Sequence, residues 1–262
     1  MEEMAELLFV LSSNDRQRLL LELKTDRPRL TQLAQKLSAT VQETSKHLAR
    51  LSDAKLIEKY SNGSYRLTAY GKQVLRLLPS FDFLSKNREY FLSHDLSFLP
   101  PGFTQRIGEL SDYQYRAHIS GMISHAEQVV REAEQYAWLM VDQCPTYSFE
   151  PKHPEKVSVR ALVSSIRPEA YQWGRTTFGD RLELRFQDDV KISISMNEKI
   201  AGVCFPDLDG RIDFNGGFIS NSPDFHRWCH DLYSIYWDRS KMSPPPELRN
   251  SIAQGLKTAT HT

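Results

Sequence analysis

Gln42, Ser45, Lys46, His47 and Arg50 all lie within the stretch SATVQETSKHLARL, and together they carry the side-chain chemistry needed to read a nucleic acid. A glutamine amide matches the donor and acceptor pair on an adenine edge, lysine serves guanine acceptors or a phosphate, and arginine suits phosphate. A second set, Asn62, Gly63, Ser64 and Arg66, follows shortly downstream, small polar residues and then a cation, as expected of a loop tip lying along a phosphate backbone. The competing use of both sets is a solvated helix face followed by an ordinary turn.

Other constellations offer less. His226 and His230 stand four residues apart, which would project two imidazoles to one side of a helix, but no Glu follows the first His as the zinc-protease pattern requires, and Cys229 belongs to an apolar strip. No metal is expected there. DLDGRID has the look of a calcium loop, yet Phe218 occupies the twelfth position where a bidentate Glu is needed and the glycine comes two residues early. Neither a phosphate-cradling G-x-x-x-x-G-K-[ST] nor a G-x-G-x-x-G is present, so no cofactor is expected. The cysteines at 144, 204 and 229 include no C-x-x-C pair, a usage that suits a reducing cytosol. The run LLFVL is too short for a secretory or membrane segment, so a cytoplasmic protein with no membrane partner is expected.

The elements that must hold these residues follow from periodicity. Apolar residues recur at helical spacing over 4–11 and 14–24, with Ser12 and Asp15 spaced as a capping box. Pro28 interrupts, Thr31 is placed to cap a short helix with Leu33, Ala34 and Leu37 inward, and Thr40 with Glu43 forms a second capping box. From there Thr44, Leu48 and Leu51 share one face, leaving Gln42, Ser45, Lys46 and Arg50 on others. KLIEKY and SYRLT flank Asn62-Gly63, the strongest short hairpin signal, and a hairpin directly after that helix is a wing. Charge is divided to match: the chain is neutral overall, but residues 31–78 hold 8 basic and 3 acidic side chains. Phosphate neutralisation needs that local excess.

The segment LTQLAQKLSATVQETSKHLARLSDAKLIEKYSNGSYRLTAYGKQVL resembles the winged helix-turn-helix of ArsR/MarR-type and archaeal TrmB-like regulators, with a central alanine, a recognition helix ending in H-L-x-x-L and a wing. In that geometry the second helix lies in the major groove with its early residues on base edges.

Beyond Pro79, residues 80–98 carry Phe81, Leu84, Tyr90, Phe91 and Phe98 among charges, consistent with a linker helix able to pair across a dimer. EQYAWLMVDQ, EKVSVRALVSS, LELRFQ, VKISISM and IAGVCF read as strands, RAHISGMISHAEQVVREAE and RPEAYQWG as helices between them. Asp209-Gly210 marks a turn. The helix SPDFHRWCHDLYSIYWDRSK opens with Ser222 and Pro223 and presents Phe225, Trp228, Cys229, Leu232 and Tyr236 as one strip, and the prolines at 244–246 stop it ahead of a mobile tail. This alternation implies an α/β domain on a mixed sheet.

Three blocks, HDLSFLPPGFTQRIGEL, AGVCFPDLDGRIDF and FHRWCHDLYSIYW, resemble the archaeal Fil-type methanogenesis-regulator family. The resemblance implies an archaeal transcription factor, dimeric, with an effector domain behind the winged helix. Related TrmB-like regulators have a phospholipase-like fold whose active members use a His-x-Lys pair, and none of the eight histidines here has Lys two residues later, so the chain is expected not to be an enzyme.

The expected organisation is therefore a winged helix-turn-helix DNA-binding domain of α+β type over 1–78, a linker helix over 79–102, an α/β effector and dimerisation domain over 103–241, phospholipase-like without its catalytic motif, and a flexible tail over 242–262. The expected function is transcription regulation by a homodimer that binds double-stranded DNA and senses a small molecule or a protein partner. Strand-end residues Asp142, Gln143 and Ser164, with Arg160, Arg167 and Trp173, are the candidate effector contacts, since ligands of α/β domains gather beyond the carboxyl ends of parallel strands. The alternative is a ligand-binding protein or enzyme that uses the winged helix as an oligomerisation or docking module.

Overall fold

The computed structural model describes residues 2–144, of which the Cys144 side chain is excepted, and 151–242. The prolines at 244–246 and the tail lie outside them. The chain divides into two compact units, Met1–Phe81 and Asp82–Thr262.

The first unit holds α1 (Glu2–Leu11), α2 (Asn14–Glu22), α3 (Leu30–Leu37), α4 (Val41–Asp53), a hairpin of β1 (Ile57–Lys59) and β2 (Tyr65–Leu67), and the start of α5 (Ala69–Lys86). Each helix contributes one apolar stripe, and Leu19, Leu20, Leu33, Leu48, Leu51 and Leu56 are almost wholly buried together. Burial of a leucine contributes about 1.5–3 kcal/mol, so this cluster and not helix propensity holds four short helices.

Caps follow the expected pattern at one of three places. At α4 the Thr40 hydroxyl accepts from the Glu43 amide at 3.2 Å and the Glu43 carboxylate accepts from the Thr40 amide at 3.2 Å. The Thr40 hydroxyl, which donates to the same carboxylate at 2.8 Å, and then the Thr40 amide hold the Glu43 carboxyl below its usual carboxylate range. Thr40→Ala should cost about 1 kcal/mol, read as a lowered melting temperature of the full chain. Ser12 does not cap α2: Ser13 occupies that position without a side-chain bond, and Ser12 donates back to the Phe9 carbonyl at 2.8 Å. At the end of α1 the buried Arg16 guanidinium donates to the carbonyls of Phe9 and Val10. Nor does Thr31 cap α3, which starts one residue earlier, with the Gln32 side chain accepting from the Arg29 amide at 2.8 Å.

The hairpin turns through three residues rather than two. Tyr60 donates to the Ser64 carbonyl and the Gly63 amide to the Tyr60 carbonyl, with Gly63 at φ 81°, a conformation glycine takes without strain. Thr68 then caps α5, accepting from the Gly71 amide at 2.9 Å while donating to the Lys55 carbonyl at 2.7 Å. This draws α5 so close to the end of α4 that a Cβ on Gly71 would overlap the Leu56 carbonyl. Gly71→Ala should destabilise by about 1–3 kcal/mol through overpacking, visible in the thermal unfolding of the full chain.

The second unit contains α6 (Arg88–Phe91), β3 (Gln114–Ala117), α7 (Ile119–Glu132), β4 (Tyr136–Cys144), β5 (Ser158–Ile166), α8 (Pro168–Phe178), β6 (Leu182–Phe186), β7 (Ser193–Asn197), β8 (Ala201–Cys204), β9 (Gly216–Ser220) and α9 (Pro223–Arg239). The strands form one mixed sheet of seven, in the order β3-β9-β8-β7-β4-β5-β6, with β4, β5 and β6 mutually parallel and the other pairs antiparallel. α9 packs one face through Phe225, Trp228, Cys229, Leu232, Tyr233 and Trp237, against Leu162, Ile194, Met196 and Val203. The opposite face is covered by α7 and α8, where Val129, Val130 and Phe178 meet Ala137 and Val159. β3 and β6 are the two edges.

No separate linker helix spans 79–102. α5 runs unbroken through Pro79, and α6 is a single turn. Tyr90 and Phe91 do not face outward to pair across a dimer: with Phe83, Phe205 and Phe218 they form an edge-to-face aromatic cluster inside the second unit. Among the described residues no helix is long and apolar enough to cross a membrane.

Candidate nucleic-acid interface and ligand cavity

α4 divides its residues as its period dictates. Thr44, Leu48 and Leu51 are buried beneath it, while Gln42, Ser45, Lys46 and Arg50 are exposed. Among the described residues none of these four exposed side chains makes a hydrogen bond or ion pair within the protein. Their donors and acceptors are open to an outside partner.

His47 does not share that face. It is half-buried, with Nε2 at 3.8 Å from the Asp15 carboxylate of α2 and Nδ1 buried without a partner, so it belongs to the helix packing. Its sequence neighbours suggest exposure, but a rotation of about 100° per residue turns it back toward α2.

At the hairpin, Asn62 is exposed at the tip, next to Gly63. Ser64 is buried, its amide and hydroxyl both donating to the Asn62 side-chain oxygen, so it shapes the turn and cannot reach a backbone. Arg66 forms an ion pair with Glu58 across the strands and lies 4.5 Å from the Tyr60 ring centroid. That pair is exposed on both sides, and such pairs contribute about 0–1 kcal/mol, so a phosphate can replace Glu58 at little cost. Sequence reasoning passed over Arg27 and Arg29. Arg27 also lies over the Tyr60 ring, 5.6 Å from its centroid, and the segment 27–29 is joined to the hairpin by the Tyr65 amide donating to the Pro28 carbonyl and by an Arg29–Ser64 bridge. Two arginines flanking a proline were the available signal.

In the second unit, α7 and α8 leave between them a cavity of about 400 Å³ floored by β4 and β5. Leu139, Val141, Val163, Ile123, Trp173 and Phe214 make its surface mainly apolar. Of the six candidate effector contacts, Asp142, Gln143, Arg167 and Trp173 line it. Arg160 and Ser164 do not. Side chains alternate along a strand, so with Val159, Ala161 and Val163 facing the cavity, Arg160 and Ser164 face the α9 layer. Arg160 lies 5.3 Å from the ring centroids of both Trp138 and Trp237, and Ser164 Oγ accepts from the Val190 amide at 3.1 Å. The α7 wall, with Met122, Ile123 and Ala126, was missed, although its apolar spacing was visible in the sequence.

His226 and His230 are committed elsewhere. His226 Nε2 lies 2.6 Å from the Asn197 carbonyl and 3.2 Å from the Tyr136 hydroxyl, and His230 stacks on Trp138 with centroids 5.0 Å apart. Cys229 is fully enclosed, and its burial pushes the thiol far above its ordinary range.

No protein-family model matches the chain, and no curated protein matches it in sequence. Among solved structures it is similar to TrmBL2, described as an archaeal chromatin protein with a novel mode of DNA binding, at 13% identity and TM-score 0.37 over 88% of this chain and 94% of that one. It is also similar to an O-methyltransferase family protein from Burkholderia thailandensis, at 14% identity and TM-score 0.26 over 69% and 63% of the two chains. A third is the O-methyltransferase NcsB1 of neocarzinostatin biosynthesis in complex with S-adenosyl-L-homocysteine, at 13% identity and TM-score 0.22 over 69% of each chain. Likenesses of this degree assign no ligand or reaction to the chain. They do correct one expectation: with O-methyltransferases among the similar chains, the reading of this protein as a non-enzyme is withdrawn.

Proposed function

We propose that this chain is a DNA-binding transcriptional regulator whose first unit is a winged helix-turn-helix. The observation that carries the reading is the exposed face of α4, where Gln42, Ser45, Lys46 and Arg50 stand without partners among the described residues above a buried Thr44, Leu48 and Leu51 stripe. α4 enters the major groove, with Gln42 and Lys46 on base edges and Arg50 on a phosphate, and the hairpin lies along the backbone through Asn62, Gly63 and Arg66. Arg27 and Arg29 add to that strand contact. The second unit assembles a homodimer and senses an effector in the cavity that Asp142, Gln143, Arg167 and Trp173 help to line.

Selection of genomic fragments bound by the full chain, followed by titration across salt concentrations, tests the reading. An enriched palindrome whose half-sites lie about one helical turn apart is expected. Log affinity should fall linearly with log salt, with a slope of about −0.9 for each phosphate neutralised. No sequence enrichment together with salt-independent affinity would overturn it.

A further inference from the structure

The cavity between α7 and α8 has a chemistry that narrows what it can hold. Its volume of about 400 Å³ lies within the roughly 300–1,000 Å³ of ordinary small-molecule sites. Most of its lining is hydrocarbon or aromatic, from Ile123 of α7 through Leu139 and Val141 of β4 to Trp173 of α8. Asp142 and Gln143, near the end of β4, and Arg167, directly after β5, come to it from the same end of these two parallel strands, and Ser193 and Ser195 of β7 line it as well.

Asp142 and Arg167 differ in what they already hold. The Asp142 carboxylate accepts from the Gln143 amide at 2.8 Å. The Arg167 guanidinium is exposed and makes no hydrogen bond or ion pair among the described residues. It also occupies the N-cap of α8, whose first turn has no side-chain cap and carries the positive end of an 11-residue helix. Among the described residues, Asp142 lines the same cavity and Glu169 lies in the first turn of α8. A mainly apolar chamber lined by a guanidinium that has no partner among the described residues suits a ligand with a hydrocarbon body and one anionic head.

We propose that the α7–α8 cavity binds an amphipathic carboxylate, its hydrocarbon or aryl body lying on Leu139, Val141 and Trp173 and its carboxylate on Arg167. This rests on the reading of the second unit as the sensing half of the protein and names the chemical class it senses. Each methylene taken from water into the cavity multiplies affinity about four-fold, so length selects among ligands as strongly as the head group does.

The test is calorimetric titration of the full chain with decanoate, decan-1-ol, decylammonium and butyrate, each below its aggregation threshold. Decanoate should bind at least tenfold more tightly than decan-1-ol, and butyrate should fail. Arg167→Gln, at an exposed position, should bring decanoate down to the level of decan-1-ol, and Ala126→Phe, which places a ring in the cavity from half-buried α7, should weaken both while unliganded circular dichroism stays native. The proposal is overturned if decan-1-ol or decylammonium binds as well as decanoate, if Arg167→Gln binds decanoate as the parent does, or if no decyl compound binds. DNA affinity is measured separately on the same preparation: loss of DNA recognition with decanoate binding intact overturns the regulator reading alone, and the reverse result overturns the ligand assignment alone.

Discussion

Replacing Lys46 and Arg50 together by alanine is expected to weaken binding to duplex DNA about 100-fold near physiological salt and to flatten the salt dependence by about two phosphate equivalents. Side chains that meet bases or phosphates contribute on the order of 1–3 kcal/mol each to nucleic-acid affinity. Both are exposed and make no bond within the protein among the described residues, so the melting temperature should hardly change. Gln42→Ala provides the contrast. It should alter which fragments are selected while leaving the salt slope near its parental value, because an amide reads a base and neutralises nothing. Unchanged affinity in the double variant would show that α4 does not enter the groove.

The second large effect comes from His125 on α7, in a different part of the chain. The ring is 2% exposed, its Nε2 lies 3.4 Å from the Ser195 carbonyl, and Nδ1 has no partner. It presses against Gly202 of β8, where any Cβ would overlap Nε2. Burial, with Arg116 adding positive charge, pushes its pKa down to about 4 from the ordinary value of 6.5. In the folded protein the ring is therefore neutral across a range in which the unfolded chain takes up a proton. Stability is complete above pH 6.5 and falls as the pH drops toward 4, by up to about 3 kcal/mol in all. Chemical denaturation between pH 7 and pH 4 should show that loss, and His125→Leu should show a shallower one. An identical slope in the variant would place the pH sensitivity in other groups.

How far the sequence disclosed these features depended on whether a feature is local. The Thr40–Glu43 box was legible because both bonds lie within four residues, and the stripe of Thr44, Leu48 and Leu51 because its period is intrinsic to a helix. The Ser12 and Thr31 caps failed because each helix begins at another residue: Ser13 holds the N-cap position of α2 and Arg29 that of α3, which leaves Ser12 outside the one helix and Thr31 inside the first turn of the other. β9, GGFIS, escaped notice because all five of its residues are buried and two are glycines, which erases the alternation that marks a strand. β3 is only four residues long, and it gains its identity from a partner about a hundred residues away. The cavity followed the same division. Asp142 and Gln143 were found by their place at a strand end and Arg167 and Trp173 by proximity in sequence, whereas Ser164, named on the first ground, and Arg160, named on the second, are sent to the opposite face by the parity of β5.

The ends of the seven-stranded sheet bear on how molecules of this protein meet in a crowded solution. An unprotected terminal strand is a template for runaway association, since its free amides and carbonyls accept any extended chain. Here β3 offers only four residues, Gln, Tyr, Arg and Ala, all exposed and one of them charged. At the other end β6 carries Glu183 and Arg185, and the Phe186 amide and carbonyl are already bonded to Lys241. Fibre-like growth by strand addition is thereby discouraged at both termini, and self-association of the second unit must use side-chain surfaces rather than extension of its sheet.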